Sequence, residues 1–207
     1  MDGLLLDTEN IVVGCLAKTA EKYGYDDLQA VFLNMVGLRF EDSQRVLQGG
    51  LGGRMPAEDF HLEAAELVKQ RLEQPVPVKA TVVELLQRLQ NNSIPCAVAS
   101  STRTHQVDYH LTAAGLRGYF ATITGGDQVT VGKPDPEIYL KAAATIDVAA
   151  ADCVVFEDSE PGTLAGLASG ATVVQVPDMK PPSEALIKRG HVIATTVLEG
   201  AVSAGLV

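Results

Sequence analysis

Residues 153–162 have the sequence CVVFEDSEPG, in which a short apolar run ends in two adjacent carboxylates and a helical pattern follows. Residues 94–102, IPCAVASST, repeat that order with hydroxyl side chains in place of the acids. Apolar strand-like runs also occur at 121–124, 171–176 and 191–197, and helical patterns at 81–90, 104–114, 135–146, 162–168 and just before 191. Strands that alternate with helices indicate a parallel sheet covered on both faces. The sequence therefore predicts an α/β protein with a doubly wound core, in which Asp135 caps the helix at 135–146.

The front of the chain has a different pattern. Residues 11–79 show helical spacing of apolar residues, with helices predicted at 11–23, 28–36, 41–47 and 56–72, and no strand-like alternation. Pro75 and Pro77 then interrupt the pattern as a linker would. We therefore predict two domains: a core made of residues 1–10 and 80–207, and an inserted helical cap made of residues 11–79.

Composition limits the classes of partner. The 207 residues include 16 basic and 26 acidic side chains, a net charge of −10. This balance argues against nucleic acid or an anionic membrane as partner, but a small phosphorylated metabolite can still be held by a few local cations and N–H groups. No apolar run is long enough for a transmembrane helix, and the first residues lack the features of a signal peptide. Three widely separated cysteines fit reduced thiols, so we predict a cytoplasmic protein.

Polar residues follow the predicted strands, where ligands collect in doubly wound sheets. Glu157 and Asp158 are adjacent acids that a hard divalent cation such as Mg²⁺ would stabilise, although taken alone they fit a solvated turn before a helix slightly better. Ser100 and Ser101 precede a helix and would suit a phosphate, unless Thr102 or a neighbour simply caps that helix.

Two further residues carry charge at such positions. Lys133, between Gly132 and Pro134, would neutralise a phosphoryl oxygen, or it is an ordinary solvated loop lysine. Asp2 precedes Gly3 and an apolar stretch, and an acid beside a phosphoryl centre can protonate a leaving oxygen and later activate water. In isolation, Asp2 is only part of an acidic N-terminal segment.

Four segments, in order, resemble the four motifs of the haloacid dehalogenase superfamily, in the branch with a helical cap after the first strand. They are MDGLLLDTE, AVASS, GKPDP and FEDSEPG. The resemblance implies a Mg²⁺-dependent phosphoryl-transfer enzyme. In that family Asp2 would be the acid and base, with its main-chain carbonyl on Mg²⁺, and Ser100 would bind phosphate. Lys133 would steady the phosphate and the nucleophile, Asp158 would be a direct metal ligand, and Glu157 would bind directly or through water.

The chain departs from the family pattern Asp-x-Asp-Gly, since only Met1-Asp2-Gly3 is present. The resemblance then puts the nucleophile immediately before Met1, together with a strand that is normally central. Asp7 is a poor substitute, because its use would leave Asp2 and Gly3 without a role. Backbone groups left unpaired beside a lost central strand would oppose folding, so we expect the natural protein to extend further upstream.

The predicted function is hydrolysis of a sugar or polyol phosphate, with Arg39 of the cap as a candidate substrate contact or simply an exposed arginine. A mutase similar to beta-phosphoglucomutase is the alternative. That family usually carries an arginine where Phe40 stands and a histidine near Val12, and both are absent. Haloacid dehalogenation is disfavoured, because it needs neither a metal nor the paired acids. A non-catalytic phosphate-binding homologue is a third reading, supported by the missing nucleophile.

Overall fold

The computed structural model describes residues 1–25, 28–35 and 40–207 and divides into two compact units. The core unit consists of Met1–Leu6 and Val76–Val207, and the helical unit is Asp7–Pro75. Both divisions fall four residues before the boundaries expected from the sequence, at the turn and the proline pair that flank the helical segment.

Four helices lie in the described residues of the helical unit. They are α1 (Thr8–Lys22), α2 (Gln29–Met35), α3 (Phe40–Leu51) and α4 (Ala57–Leu72). Phe60 of α4 is fully buried at the centre of its apolar core, where the ring of Tyr25 meets it edge-on at 6.3 Å between centroids. The side-chain oxygen of Gln48 accepts a hydrogen bond from the Ala57 N–H at 2.8 Å, which satisfies one of the unpaired donors at the start of α4.

The core unit alternates strands and helices. Its strands are β1 (Ala97–Ser100), β2 (Thr122–Gly125), β3 (Val154–Glu157), β4 (Thr172–Gln175) and β5 (Val192–Ile193). Its helices are α5 (Val82–Asn91), α6 (Thr104–Ala113), α7 (Glu137–Thr145), α8 (Glu160–Ala168), α9 (Glu184–Ile187) and α10 (Val197–Ser203). The predicted α/β class with a parallel, helix-covered sheet is thereby confirmed.

All strand pairs in the core unit are parallel. β1 pairs with β2 from Ala97 opposite Thr122 to Ser100 opposite Gly125, while β3, β4 and β5 form a second group in that order. The two groups share a core, because Ala99 of β1 and Val155 of β3 both pack on Ile138, Tyr139 and Ala165 of α7 and α8.

A cavity of about 270 Å³ lies beside both strand groups. Residues from β1, β3, α5 and α7 line it, among them Val98, Ala99, Val155, Phe156, Leu86 and Ala143. The space is mainly apolar and partly open to the surface, and its size is unusual beside the strands of a sheet domain, since protein interiors rarely contain voids larger than a water molecule.

Three local predictions need correction. β1 begins at Ala97 and not at residue 94, since Pro95 has no N–H to give to a ladder. Pro136 and not Asp135 is the N-cap of α7, although Asp135 Oδ1 accepts the Glu137 N–H at 2.9 Å. The apolar run at 191–197 forms only the two-residue β5, and Thr196 caps α10 by accepting the Glu199 N–H.

No helix in the described part of the chain is both long and apolar enough to cross a membrane.

Candidate active site

A tight turn at the N-terminal end presents Asp2. The carbonyl of Met1 accepts the Leu5 N–H at 2.8 Å, and the Gly3 N–H donates to the Leu6 carbonyl at 3.0 Å. Gly3 has φ +67°, a left-handed conformation that glycine adopts at little cost. Leu6 is fully buried, and the Leu5 carbonyl accepts the Lys79 N–H at 2.9 Å. The turn is therefore anchored on both sides, which holds the Asp2 side chain in place.

The carboxylate of Asp2 meets the carboxyl end of β1. Its Oδ2 accepts a hydrogen bond from Thr102 Oγ1 at 2.9 Å and lies 3.5 Å from Ser100 Oγ, at the outer limit for such a bond. The buried Ser100 Oγ in turn accepts the Thr102 N–H at 3.2 Å. Asp2 and Ser100 thus share one hydrogen-bonded group, in which Thr102 is the link.

Thr102 does not cap α6. Asp127 caps it instead, because Asp127 Oδ1 accepts both the Thr104 N–H at 2.7 Å and the Thr104 hydroxyl at 2.8 Å. These two hydrogen bonds lower the pKa of Asp127. The alternative in which Thr102 is only a helix cap is therefore wrong. The side chain of Ser101 is exposed, and its carbonyl oxygen approaches Gly126, where a Cβ atom would lie 2.2 Å away.

Lys133 forms a buried ion pair with Glu157. The side chains are 11% and 6% exposed, and Tyr139 also donates its hydroxyl to the same carboxylate oxygen, Glu157 Oε1. Glu157 Oε2 accepts three further hydrogen bonds, from the N–H groups of Asp158 and Ser159 and from Ser159 Oγ at 2.9 Å. The alternative of a solvated loop lysine at Lys133 is therefore wrong.

Burial and the contacts around the Lys133–Glu157 ion pair shift the pKa values of Glu157 and Tyr139. Burial by itself raises the pKa of Glu157, but the charge and hydrogen bonds of Lys133 and Tyr139 outweigh it and hold that pKa well below its usual range. The pKa of Tyr139 is raised well above its ordinary value by burial and then by the charge of Glu157. Gly162 makes room for the carboxylate, since a Cβ atom there would lie 2.1 Å from Glu157 Cδ.

Asp158 lies against Gly3 of the N-terminal turn. A Cβ atom at Gly3 would lie 2.5 Å from Asp158 Oδ2 and 3.2 Å from Asp178 Oδ2, so two carboxylate oxygens converge on the backbone of Gly3. Only glycine allows this approach. Sequence reasoning missed Asp178, although its place just beyond the carboxyl end of β4 was the same signal that identified Asp158.

The predicted metal ligands fit Mg²⁺ in part. Within the ranges described, no three or more His, Cys, Asp or Glu side chains form a group that could hold a metal ion. Asp158 and Asp178 nevertheless both offer an oxygen atom beside Gly3, and Mg²⁺ commonly takes one or two carboxylates together with water and phosphate. Both oxygens of Glu157 are engaged by protein donors, so its contact with a metal stays a prediction. Arg39 lies outside the described residues.

Comparison with known proteins establishes the family. A profile of the haloacid dehalogenase-like hydrolases matches residues 1–176. The chain belongs to this family of hydrolases. Within it, a phosphorylated carbohydrates phosphatase from Thermotoga maritima is 31% identical over 170 residues, covering 82% of this chain and 79% of the relative.

Two solved structures extend the likeness to the fold. A candidate beta-phosphoglucomutase from Thermotoga maritima has a TM-score of 0.80 and 29% identity, and the match covers 100% of this chain and 96% of that one. A haloacid dehalogenase family hydrolase from Deinococcus radiodurans, with bound phosphate and sodium, has a TM-score of 0.83 and 27% identity over 100% of this chain and 94% of that one.

Proposed function

We propose that this chain is the body of a Mg²⁺-dependent phosphatase that hydrolyses a small phosphorylated metabolite, a sugar or polyol phosphate. The reaction would pass through an aspartyl-phosphate whose nucleophile lies just upstream of Met1. One observation carries the proposal: Asp2 is hydrogen-bonded to Thr102 at the carboxyl end of β1, while the adjacent Gly3 lies against Asp158. The carboxylate of Asp2, the hydroxyl of Thr102 and the carboxylate of Asp158 therefore lie at neighbouring strand ends.

Each residue has a separate task in this proposal. Asp2 protonates the leaving oxygen and afterwards takes a proton from the attacking water, because its carboxylate is held in position by Thr102. Ser100 and Ser101 bind the phosphate through hydroxyl and N–H groups. Lys133 balances the phosphoryl charge from its buried place beside Glu157.

The cation would be held by Asp158 and the main-chain carbonyl of Asp2, with Glu157 bound directly or through water. When bound, Mg²⁺ neutralises charge that develops on the phosphoryl oxygens. The bound phosphate of the Deinococcus radiodurans relative supports a phosphate site in this fold.

The cavity beside β1 and β3 supports the upstream nucleophile. It is lined by Met1 and by both strands, and it has the apolar walls that a further central strand requires. A parallel strand there would run toward the carboxyl ends of β1 and β3, where Asp2 lies. Its last residue would therefore meet Met1 and put an aspartate beside Asp2, in the family pattern.

The helical unit, residues 7–75, would serve as the cap that selects the substrate, with Arg39 as a candidate contact. We also propose a cytoplasmic location, which the three free cysteines support. A phosphosugar mutase is the second candidate, because the Thermotoga maritima structure described as a candidate beta-phosphoglucomutase has a TM-score of 0.80.

The test compares the 207-residue chain with a form extended by an apolar strand that ends in Asp immediately before Met1. We expect Mg²⁺-dependent release of phosphate from an aryl phosphate only in the extended form, and none when the added Asp is replaced by Asn. Interconversion of hexose phosphates with little free phosphate would instead identify a mutase. Lack of both activities in the extended form would favour a phosphate-binding protein.

A further inference from the structure

Asp178 has one oxygen paired and one oxygen buried without a partner. Its Oδ1 forms an ion pair with Lys79, and its side chain is only 10% exposed. Its Oδ2 is buried and has no hydrogen-bond partner among the described residues. A buried carboxylate oxygen without a donor is costly, so such an atom requires an explanation, for example a bound ion.

The unpartnered oxygen lies near a carboxylate oxygen of Asp158, beside Gly3. Asp158 Oδ2 and Asp178 Oδ2 both lie within 3.2 Å of the position that a Cβ atom would occupy at Gly3. Two negative charges on so small a region repel each other, and Lys79 is bound to the far oxygen of Asp178. A hard divalent cation between the near oxygens removes that repulsion and satisfies the unpaired atom.

We propose that Asp178 is a second carboxylate ligand of the divalent-cation site at Asp158, and that Lys79 tunes this site by competing with the cation for the charge of Asp178. The inference rests on the proposed function, because that function supplies the cation at Asp158. In this proposal Asp178 contacts the cation and not the substrate, and Lys79 acts on the cation only through its ion pair with Asp178.

The proposal gives opposite signs to two substitutions. Asp178→Asn removes a charged ligand, so binding of the cation weakens. Lys79→Met removes a positive charge beside that ligand, so binding strengthens. If the two residues formed only a structural ion pair, both substitutions would lower thermal stability and neither would change the affinity for a cation.

The experiment measures binding of Mn²⁺, as a probe for Mg²⁺, to the 207-residue chain by the electron paramagnetic resonance signal of the free ion. We expect Asp178→Asn to raise the Kd by about tenfold or more and Lys79→Met to lower it by about threefold. Asp108→Asn, which breaks the exposed ion pair with Arg117 elsewhere, is the matched control and leaves the Kd unchanged. The double variant at Lys79 and Asp178 lacks both members of the ion pair and must still bind Mn²⁺ weakly, because the ligand itself is lost.

Asp158→Asn separates the two proposals. If Asp158→Asn weakens binding while Asp178→Asn does not, the role of Asp178 is refuted and the proposed function stands. If Asp158→Asn itself has no effect, the cation site of the proposed function fails. A Lys79→Met variant that binds Mn²⁺ no more tightly than the parent chain would overturn the tuning role of Lys79.

Discussion

Filling the cavity beside β1 and β3 should stabilise the core unit by several kcal/mol. The change is an N-terminal extension of about six apolar, β-branched residues, a typical strand length. At about 24 cal/mol per Å³, filling about 270 Å³ corresponds to at most about 6 kcal/mol, because the space is partly open. Ordering the added residues costs roughly 1–2 kcal/mol each. New ladder hydrogen bonds to β1 and β3, at roughly 1 kcal/mol each, offset much of this cost.

The assay is urea denaturation followed by circular dichroism, which reports the free energy of unfolding. A Gly/Ser extension of equal length is the control and should give no gain. Ala143→Leu, in the wall of the cavity, should stabilise the parent chain slightly but reduce the gain from the extension, because both fill the same space. If the apolar extension stabilises no more than the Gly/Ser extension, or its gain is unaffected by Ala143→Leu, the assignment of the cavity to a strand is wrong.

Three other substitutions test the buried network. Lys133→Ala leaves the buried charge of Glu157 without its ion-pair partner, so we expect a loss of about 3–5 kcal/mol in urea denaturation, partly recovered in the double variant with Glu157→Gln. Gly162→Ala brings a Cβ atom against the Glu157 carboxylate, and its loss in the free energy of unfolding should equal that of Lys133→Ala within a factor of two. Thr102→Val removes the donor to Asp2 and should lower kcat of the extended form about tenfold with little loss of stability. Stability equal to that of the parent chain in either of the first two variants, or unchanged kcat in the third, would contradict these expectations.

The lowered pKa of Glu157 predicts how the stability of the folded chain depends on pH. Its pKa is lower in the folded chain than in the unfolded chain, so its carboxylate contributes fully above roughly pH 5. The contribution is lost as the pH falls from there through the folded-state pKa. Glu157→Gln should therefore flatten the loss of stability below roughly pH 5. If the parent chain and this variant lose stability in parallel as the pH falls, Glu157 is not the source of the acid sensitivity.

Much of the architecture was predictable because it depends on local patterns. The strand-helix alternation after residue 80 and the uniform helical spacing before it follow from side-chain periodicity. The boundaries were less accurate where backbone chemistry decided them, as at Pro95 and Pro136. Helix α10 could have been found, since Thr196 and Glu199 have the spacing of a capping box.

The contacts of the candidate site were less predictable, because they join residues that are distant in sequence. Thr102 and Asp2 are 100 positions apart, and Lys79 and Asp178 are 99 apart. A pattern within one segment contains no information on such pairs. The sequence therefore indicates Thr102 only as a possible helix cap, and it contains no sign that Lys79 and Asp178 meet.

By itself, the sequence determined the α/β class, the inserted helical segment, the family and the strand ends at which charged residues gather. Tertiary structure alone decided that Asp127 caps α6, that Glu157 is saturated by Lys133 and its other donors, and that Asp158 and Asp178 both lie beside Gly3. The physical reason is that periodicity and capping act within a few residues of chain, whereas burial and charge pairing depend on which distant segments meet.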